Sequence, residues 1–157
     1  MRIPRRRRLE KKTDYKSRFA LLKSGEPRLI ARKTNNYIIA QIIETKHAQD
    51  KVVIGITSKV LLKKGWPDSK AGSLKSLPAA YLTGFVIGKL AKDKKIKSAI
   101  FDMGMNRNIH KSRLYAFLRG AIDAGLSIPH NPDALPSTDS LKKHNKFGSI
   151  IESIKEK

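Results

Sequence analysis

The residues of this chain best equipped for chemistry are cations, and the chemistry they suit is holding phosphate. Arg2, Arg5, Arg6, Arg7 and Arg8 are followed by Lys11 and Lys12, with Glu10 as the sole acid among the first twelve residues. A guanidinium stays charged and offers a planar fork that gives a phosphate two hydrogen bonds at once. An arm of such residues can order along the grooves and junctions of a folded RNA that a rigid surface cannot reach. The competing reading of the same block is a localisation signal or a solvated tail. A second constellation is Arg28, Arg32, Lys33, Asn35, Asn36 and Tyr37, where cations would hold backbone and the Asn amides and Tyr ring would meet bases. There the alternative is that Asn35 and Asn36 only make a turn. A third is Asn106, Arg107, Asn108, His110, Lys111 and Arg113, on a loop and the helix start after it. Loops at strand ends display binding groups, although helix capping explains part of this cluster equally well.

Overall charge points the same way. Against 34 Lys+Arg stand 13 Asp+Glu, a formal net charge of +21 over 157 residues. That much self-repulsion is relieved by a polyanion, and nucleic acid carries the densest fixed charge and releases counterions on binding. With 39% hydrophobic residues the chain also has material for a core, so it is not merely a basic tail.

Other chemistries find less support. There is no cysteine, which removes disulfides, thiolates and Cys-based zinc sites and fits a reducing, cytoplasmic setting. His47, His110, His130 and His144 lack ligand spacing, and no phosphate-binding GxxxxGK[ST] motif is present, so no metal or cofactor is expected. An RNA-processing enzyme would need carboxylates gathered around Mg²⁺, and only Asp102, with Asp123 further on, offers a start. Trp66 beside Pro67 either stacks on a base or covers a core edge. The most apolar stretch, Pro78 to Ala91, is too short to span a bilayer, and the start lacks a signal peptide's apolar run. A basic module for acidic proteins or membrane surfaces is the remaining alternative.

These side chains need elements to position them. Residues 1–12 read as an extended arm. Thr13 to Ser24 reads as a helix with Tyr15, Phe19 and Leu22 on one apolar face and Lys12, Lys16 and Lys23 outside it. Gly25 and Pro27 stop it. Arg28 to Lys33 and Tyr37 to Ile43 read as a hairpin turned at Thr34–Asn36, since Asn tolerates positive φ. Lys46 to Asp50 is a second turn and Val52 to Thr57 a third strand.

Val60 to Lys64 is a short helix and Asp68 to Ser76 a loop. Leu77 to Lys92 is a helix apolar on most sides, with Pro78 in its first turn. Its strip of Ala80, Gly84 and Gly88 most simply packs on a sheet. Ser98 to Met103 is a fourth strand, parallel to the third across this helix. Ser112 caps a last helix ending at Gly125, striped by Leu114, Phe117, Leu118, Ala121 and Ile122. The fold class is therefore mixed α/β (α+β). A small mixed four-stranded sheet carries packed helices in the order helix-β-β-β-helix-β-helix. Residues 1–12 form the arm, 13–128 the globular domain and 129–157 an irregular Pro-containing tail with a short helix at Ile150 to Ile154.

With these pieces placed, a family likeness emerges. Arg5-Arg6-Arg7-Arg8…Lys12-Thr13-Asp14-Tyr15…Arg18 and Pro27-Arg28-Leu29…Arg32-Lys33-Thr34-Asn35-Asn36-Tyr37-Ile38-Ile39-Ala40-Gln41 recur there in this order. They are followed by Gly65-Trp66, Pro78 to Gly84, Asp102-Met103-Gly104 and the run Leu118 to His130. The chain resembles the archaeal and eukaryotic branch of large-subunit ribosomal protein eighteen, the 5S-rRNA-binding family, over roughly residues 5–135. The resemblance implies a structural, non-catalytic component of the large ribosomal subunit. It implies RNA contacts through the arm, through Tyr15, Lys16 and Arg18, and through the hairpin. It also implies as partners 5S rRNA, large-subunit rRNA, the ribosomal protein five family and other large-subunit proteins, with no membrane and no small-molecule substrate. The Pro-rich segment after Ile128 favours the archaeal–eukaryotic branch, and the residues after Ile154 are too few to match the long C-terminal extension expected of the eukaryotic members.

Overall fold

Alternation along one strand organises the molecule. In β1 (Arg28–Lys33) Leu29 and Ala31 are fully buried under helices, while Arg28, Ile30 and Arg32 belong to the opposite face. A computed structural model describes residues 5–47, 49–137 and 140–141. Arg2 and the helix expected at Ile150 to Ile154 lie outside the described residues. β1 pairs antiparallel with β2 (Ile38–Lys46), which pairs antiparallel with β3 (Gln49–Thr57). β4 (Ile100–Asp102) joins the other edge, parallel to β1, so the sheet order is β3-β2-β1-β4.

The third and fourth strands therefore run in one direction but are not neighbours. The connection between them crosses the width of the sheet, because β1 is the strand whose free edge remains to be paired. The second turn is also tighter than the polar stretch Lys46 to Asp50 suggests, since the strands continue to Lys46 and resume at Gln49. Register shifts at a bulge, with Ile42 opposite Ile54 but Ile43 opposite Val52. The extra residue changes which face the start of β3 presents, and it brings Asp50 opposite Thr45 on the face that carries Arg28.

Two helices cover the other face. After α3 (Val60–Lys63) and a 3₁₀ turn over Asp68–Ser73 comes α4 (Leu77–Asp93), with twelve of its seventeen residues buried. It packs on α5 (Arg113–Asp123). Trp66 is buried at the core edge, its indole N–H donating to the Lys70 carbonyl at 3.1 Å. The glycine strip of α4 meets α5 rather than the sheet. A Cβ on Gly84 would overlap the Phe117 carbonyl oxygen, and one on Gly120 would overlap that of Tyr81. Each helix thus sets a bare backbone against the other, which brings their axes close enough for Leu82, Ile87, Phe117 and Leu118 to share one core.

Ser112 holds the N-cap position of α5, but its side chain makes no capping bond. The segment after α5 is partly anchored. Ile128, Ala134 and Leu141 join the core, Pro132–Ala134 forms a 3₁₀ turn, and Arg119 donates to the Pro136 carbonyl.

The N-terminal region departs most from its sequence pattern. The arm is not wholly extended, since Arg6–Leu9 forms one helical turn, α1. α2 (Tyr15–Lys23), capped by the Asp14 carboxylate accepting from the Lys16 and Ser17 amides, buries none of its residues. The expected apolar stripe does not pack, for Phe19 is 63% exposed. Among the described residues no helix is long and apolar enough to cross a membrane.

Gly84→Ala is expected to destabilise the fold by about 1–3 kcal/mol, because the methyl group meets backbone that cannot move aside. Gly72→Ala, with nothing within 4 Å, should stay within about 0.5 kcal/mol of the parent. Urea midpoints at constant m-value distinguish the two.

Candidate nucleic-acid interface

The sheet face opposite α4 and α5 is built around one arginine. Arg28 is 2% exposed, and its guanidinium donates to Asp102 on β4 at 2.9 Å, to Asp50 on β3 at 2.8 Å and to Thr45 on β2 at 3.3 Å. Thr45 also donates to Asp50 at 2.7 Å, and Arg18 of α2 reaches the other Asp50 oxygen at 2.7 Å. Four strands thus meet at a single cation, and α2 joins them through Asp50. Burial, the largest influence, raises the Asp50 carboxyl, but the Thr45 and Arg18 hydrogen bonds and the Arg28 charge together outweigh it. The carboxyl is held below its ordinary value of 3.8.

This corrects one expected RNA contact, since Arg28 is spent on the scaffold. Asp102 is spent there too, its second oxygen accepting the Gly104 amide at 2.8 Å. Asp123 accepts the Tyr81 hydroxyl at 2.7 Å. Burial, then that hydrogen bond and the Asp123 charge, push the Tyr81 hydroxyl well above the usual phenol range. Both carboxylates weighed for Mg²⁺ therefore have structural partners.

Around this centre lies an open cleft bounded by two basic segments and the loop after β4. Arg7, Lys11 and Lys12 of the N-terminal segment face Arg32 and Lys33 at the end of β1 and Asn106 of the loop after β4. Local chemistry fixes each wall. Arg7 donates to the Thr13 hydroxyl at 2.9 Å, Glu10 pairs with Arg6 and Lys12, and Lys11 takes a φ of 51° to turn the chain into α2. Those Glu10 pairs are exposed and add little stability, so they leave the cations available. Arg5, Arg6, Arg7, Arg8, Lys11, Lys12 and Lys16 are all exposed, and Arg5 lies over the Tyr15 ring at 4.7 Å.

At the hairpin tip the turn is made by Thr34 rather than by the asparagines. Its hydroxyl donates to the Tyr37 carbonyl at 2.7 Å and accepts the Tyr37 amide at 3.0 Å. Neither Asn35 nor Asn36 has positive φ, and both are exposed. Their amide groups are thereby left for a partner. Tyr37 is half-buried, with Lys59 over its ring at 5.0 Å.

The third cluster divides. Arg107, His110 and Lys111 are exposed. Asn108 accepts the Tyr115 hydroxyl, and half-buried Arg113 donates to the Lys75 carbonyl at 3.3 Å, so both serve local structure. Sequence reasoning missed Lys59 and the role of Asp50, which it set in a turn, and it credited the turn at Thr34–Asn36 to the asparagines rather than to Thr34. The bulge that redirects Asp50 leaves no signature in residue types, whereas a Thr before two Asn is a legible turn-maker.

A family model described as ribosomal large subunit proteins 60S L5 and 50S L18 matches residues 1–98. Large ribosomal subunit protein uL18 of Korarchaeum cryptofilum is 45% identical over 151 residues, covering 96% of this chain and 75% of that protein. The uL18 protein of Halobacterium salinarum is 44% identical over 154 residues, covering 98% and 81%. That of Aeropyrum pernix is 38% identical over 156 residues, covering 99% and 71%.

Arg28→Ala should cost about 3–5 kcal/mol, because it leaves the Asp102 carboxylate without its counter-charge at a buried site and takes one of two arginines from Asp50. The depressed Asp50 carboxyl stabilises the fold above its unfolded value near 3.8, and this is lost as pH falls through the lower folded value. Acid unfolding followed by circular dichroism should therefore show a flatter slope below about pH 4 in Asp50→Asn than in the parent.

Proposed function

The chain belongs to the L5 and L18 family of large-subunit ribosomal proteins, and we propose that within that subunit it binds 5S rRNA and fastens it to large-subunit rRNA in the central protuberance. The observation that carries this reading is the cleft. Exposed cations of the arm and of the end of β1, far apart in sequence, converge on the sheet face that α4 and α5 leave free, with Asn106 on a third side. Arg5 to Lys12 neutralise phosphates along a stretch of backbone. Arg32 and Lys33 hold backbone beside the hairpin tip, where Asn35, Asn36 and Tyr37 meet bases. Arg107, His110 and Lys111 extend the footprint past the β4 edge.

Phosphate contacts set position and affinity, while base contacts at the hairpin set register. The part played by the fold is rigidity: the Arg28 centre keeps the walls at fixed separations while the arm adapts to the RNA. The role is structural, with no turnover. Other partners are ribosomal, namely large-subunit rRNA, the ribosomal protein five family and neighbouring proteins of the subunit.

Removing residues 1–12 should weaken 5S rRNA binding and flatten its salt dependence, by roughly 0.7–0.9 in the log–log slope for each phosphate no longer neutralised. Filter binding across a salt series measures both. If neither affinity nor slope moved, the arm would not be the main electrostatic contact. The full chain should also sediment with large subunits and carry 5S rRNA.

A further inference from the structure

Phe19 stands in the middle of α2 with 63% of its surface exposed. A single exposed apolar residue is ordinary. Its position is what singles it out. The opposite side of α2, through Asp14, Ser17, Arg18 and Leu21, lines the cleft, so Phe19 projects away from the body of the protein. One turn before it is Tyr15, under the Arg5 guanidinium at 4.7 Å. One turn after it is Lys23, whose ammonium lies over the Phe19 ring at 5.1 Å. Lys16, exposed, is three residues back on the same outward side. The outer side of α2 is thus a ladder of two rings, each with a cation over it.

This chemistry suits RNA better than an apolar protein surface. Docking an apolar surface on Phe19 would desolvate Lys16 and Lys23 with no charge to receive them. A nucleobase stacked on the ring would instead bring its own phosphates within reach of those cations. Resting on the rRNA-binding reading above, we propose that Phe19 is a stacking platform for an unpaired base of ribosomal RNA. α2 would then grip RNA on its outer side as well as at the cleft.

Phe19→Ala should weaken binding to 5S rRNA, or to a large-subunit rRNA fragment if the base lies there, by roughly 5- to 100-fold. The salt slope should stay unchanged, because every cation that meets a phosphate is still present. Phe19→Trp should bind as the parent does, and the fluorescence of the added indole should be quenched on RNA titration. Trp66, the chain's single Trp, is buried at 2% exposure and supplies a constant background. Phe19→Leu should lose most of the affinity that Phe19→Ala loses. Unchanged far-ultraviolet circular dichroism and urea midpoint verify folding, as expected for so exposed a site. The proposal is overturned if Phe19→Ala binds both RNAs as the parent does, or if Leu serves as well as Phe. It is equally overturned if RNA affinity holds while incorporation into particles falls, which would put a protein against the ring. Loss of binding on arm deletion, with Phe19→Ala unaffected, would sink this inference and leave the rRNA-binding reading standing. Indifference of the parent protein to both RNAs would sink the reading itself.

Discussion

One buried arginine fixes the geometry on which everything else depends. Arg28 sits on β1, one of the two inner strands, and its guanidinium reaches β2 through Thr45, β3 through Asp50 and β4 through Asp102. Arg18 extends the network to α2. Apolar residues of similar volume often stabilise a core as well as a buried ion pair does, so stability alone is a weak reason for this one. Direction is the better reason. A charged fork has one low-energy arrangement of its partners, whereas apolar side chains slide. The network fixes where α2 starts, where the β4 loop leaves the sheet and how the hairpin projects.

The two faces of the sheet divide the labour. On one, α4 and α5 approach through paired glycines and bury most of the apolar surface. Ile30 and Ile43 on the other face are buried too, but they stand apart from that core. The second face is then free to be polar and concave. Its apolar residues, Ile30, Ile39 and Ile43, form the floor of the cleft, and the cations stand around its rim. A long side chain over an apolar floor buries its stem and keeps its head in water, which is how so many cations can share one side of a small domain.

The parts of this plan legible in the sequence were those with a strong local period. β1, α4 and α5 lie within a residue or two of where their patterns put them, since β-branched runs and the i, i+3, i+4 stripe reflect burial directly. Misreadings arose where burial was decided at a distance. The stripe of Tyr15, Phe19 and Leu22 has the period of a packed helix, yet Tyr15 and Leu22 are only half-buried and Phe19 is exposed. Ala80, Gly84 and Gly88 announce close approach without naming what approaches. The adjacency of β4 to β1 follows from which edge was vacant, and no local pattern encodes that. Asp50 reads as a turn residue because a bulge alters strand phase without any change in residue type. At the site, the exposed cations were legible as cations, but a lone arginine inside a basic sequence gives no sign that it is the buried one. Arg28 differs from Arg32 in its partners, Asp50 and Asp102, which lie 22 and 74 positions away.

The fate of the carboxylates explains how a net charge of +21 becomes a directed surface. With 13 acids against 34 Lys and Arg, random pairing would scatter neutral patches over the whole protein. Instead Asp50 and Asp102 are drawn inward to Arg28, and Asp123 is tied to Tyr81. Asp14 is used as a helix cap, leaving Glu10 as the one acid paired among the arm cations. Acids that sit inside the scaffold cannot compete with a phosphate for the arginines on the rim. Apart from those paired with Glu10, the exposed cations of the arm, the hairpin tip and the β4 loop therefore find their counter-charge in a ligand, whose binding relieves their mutual repulsion.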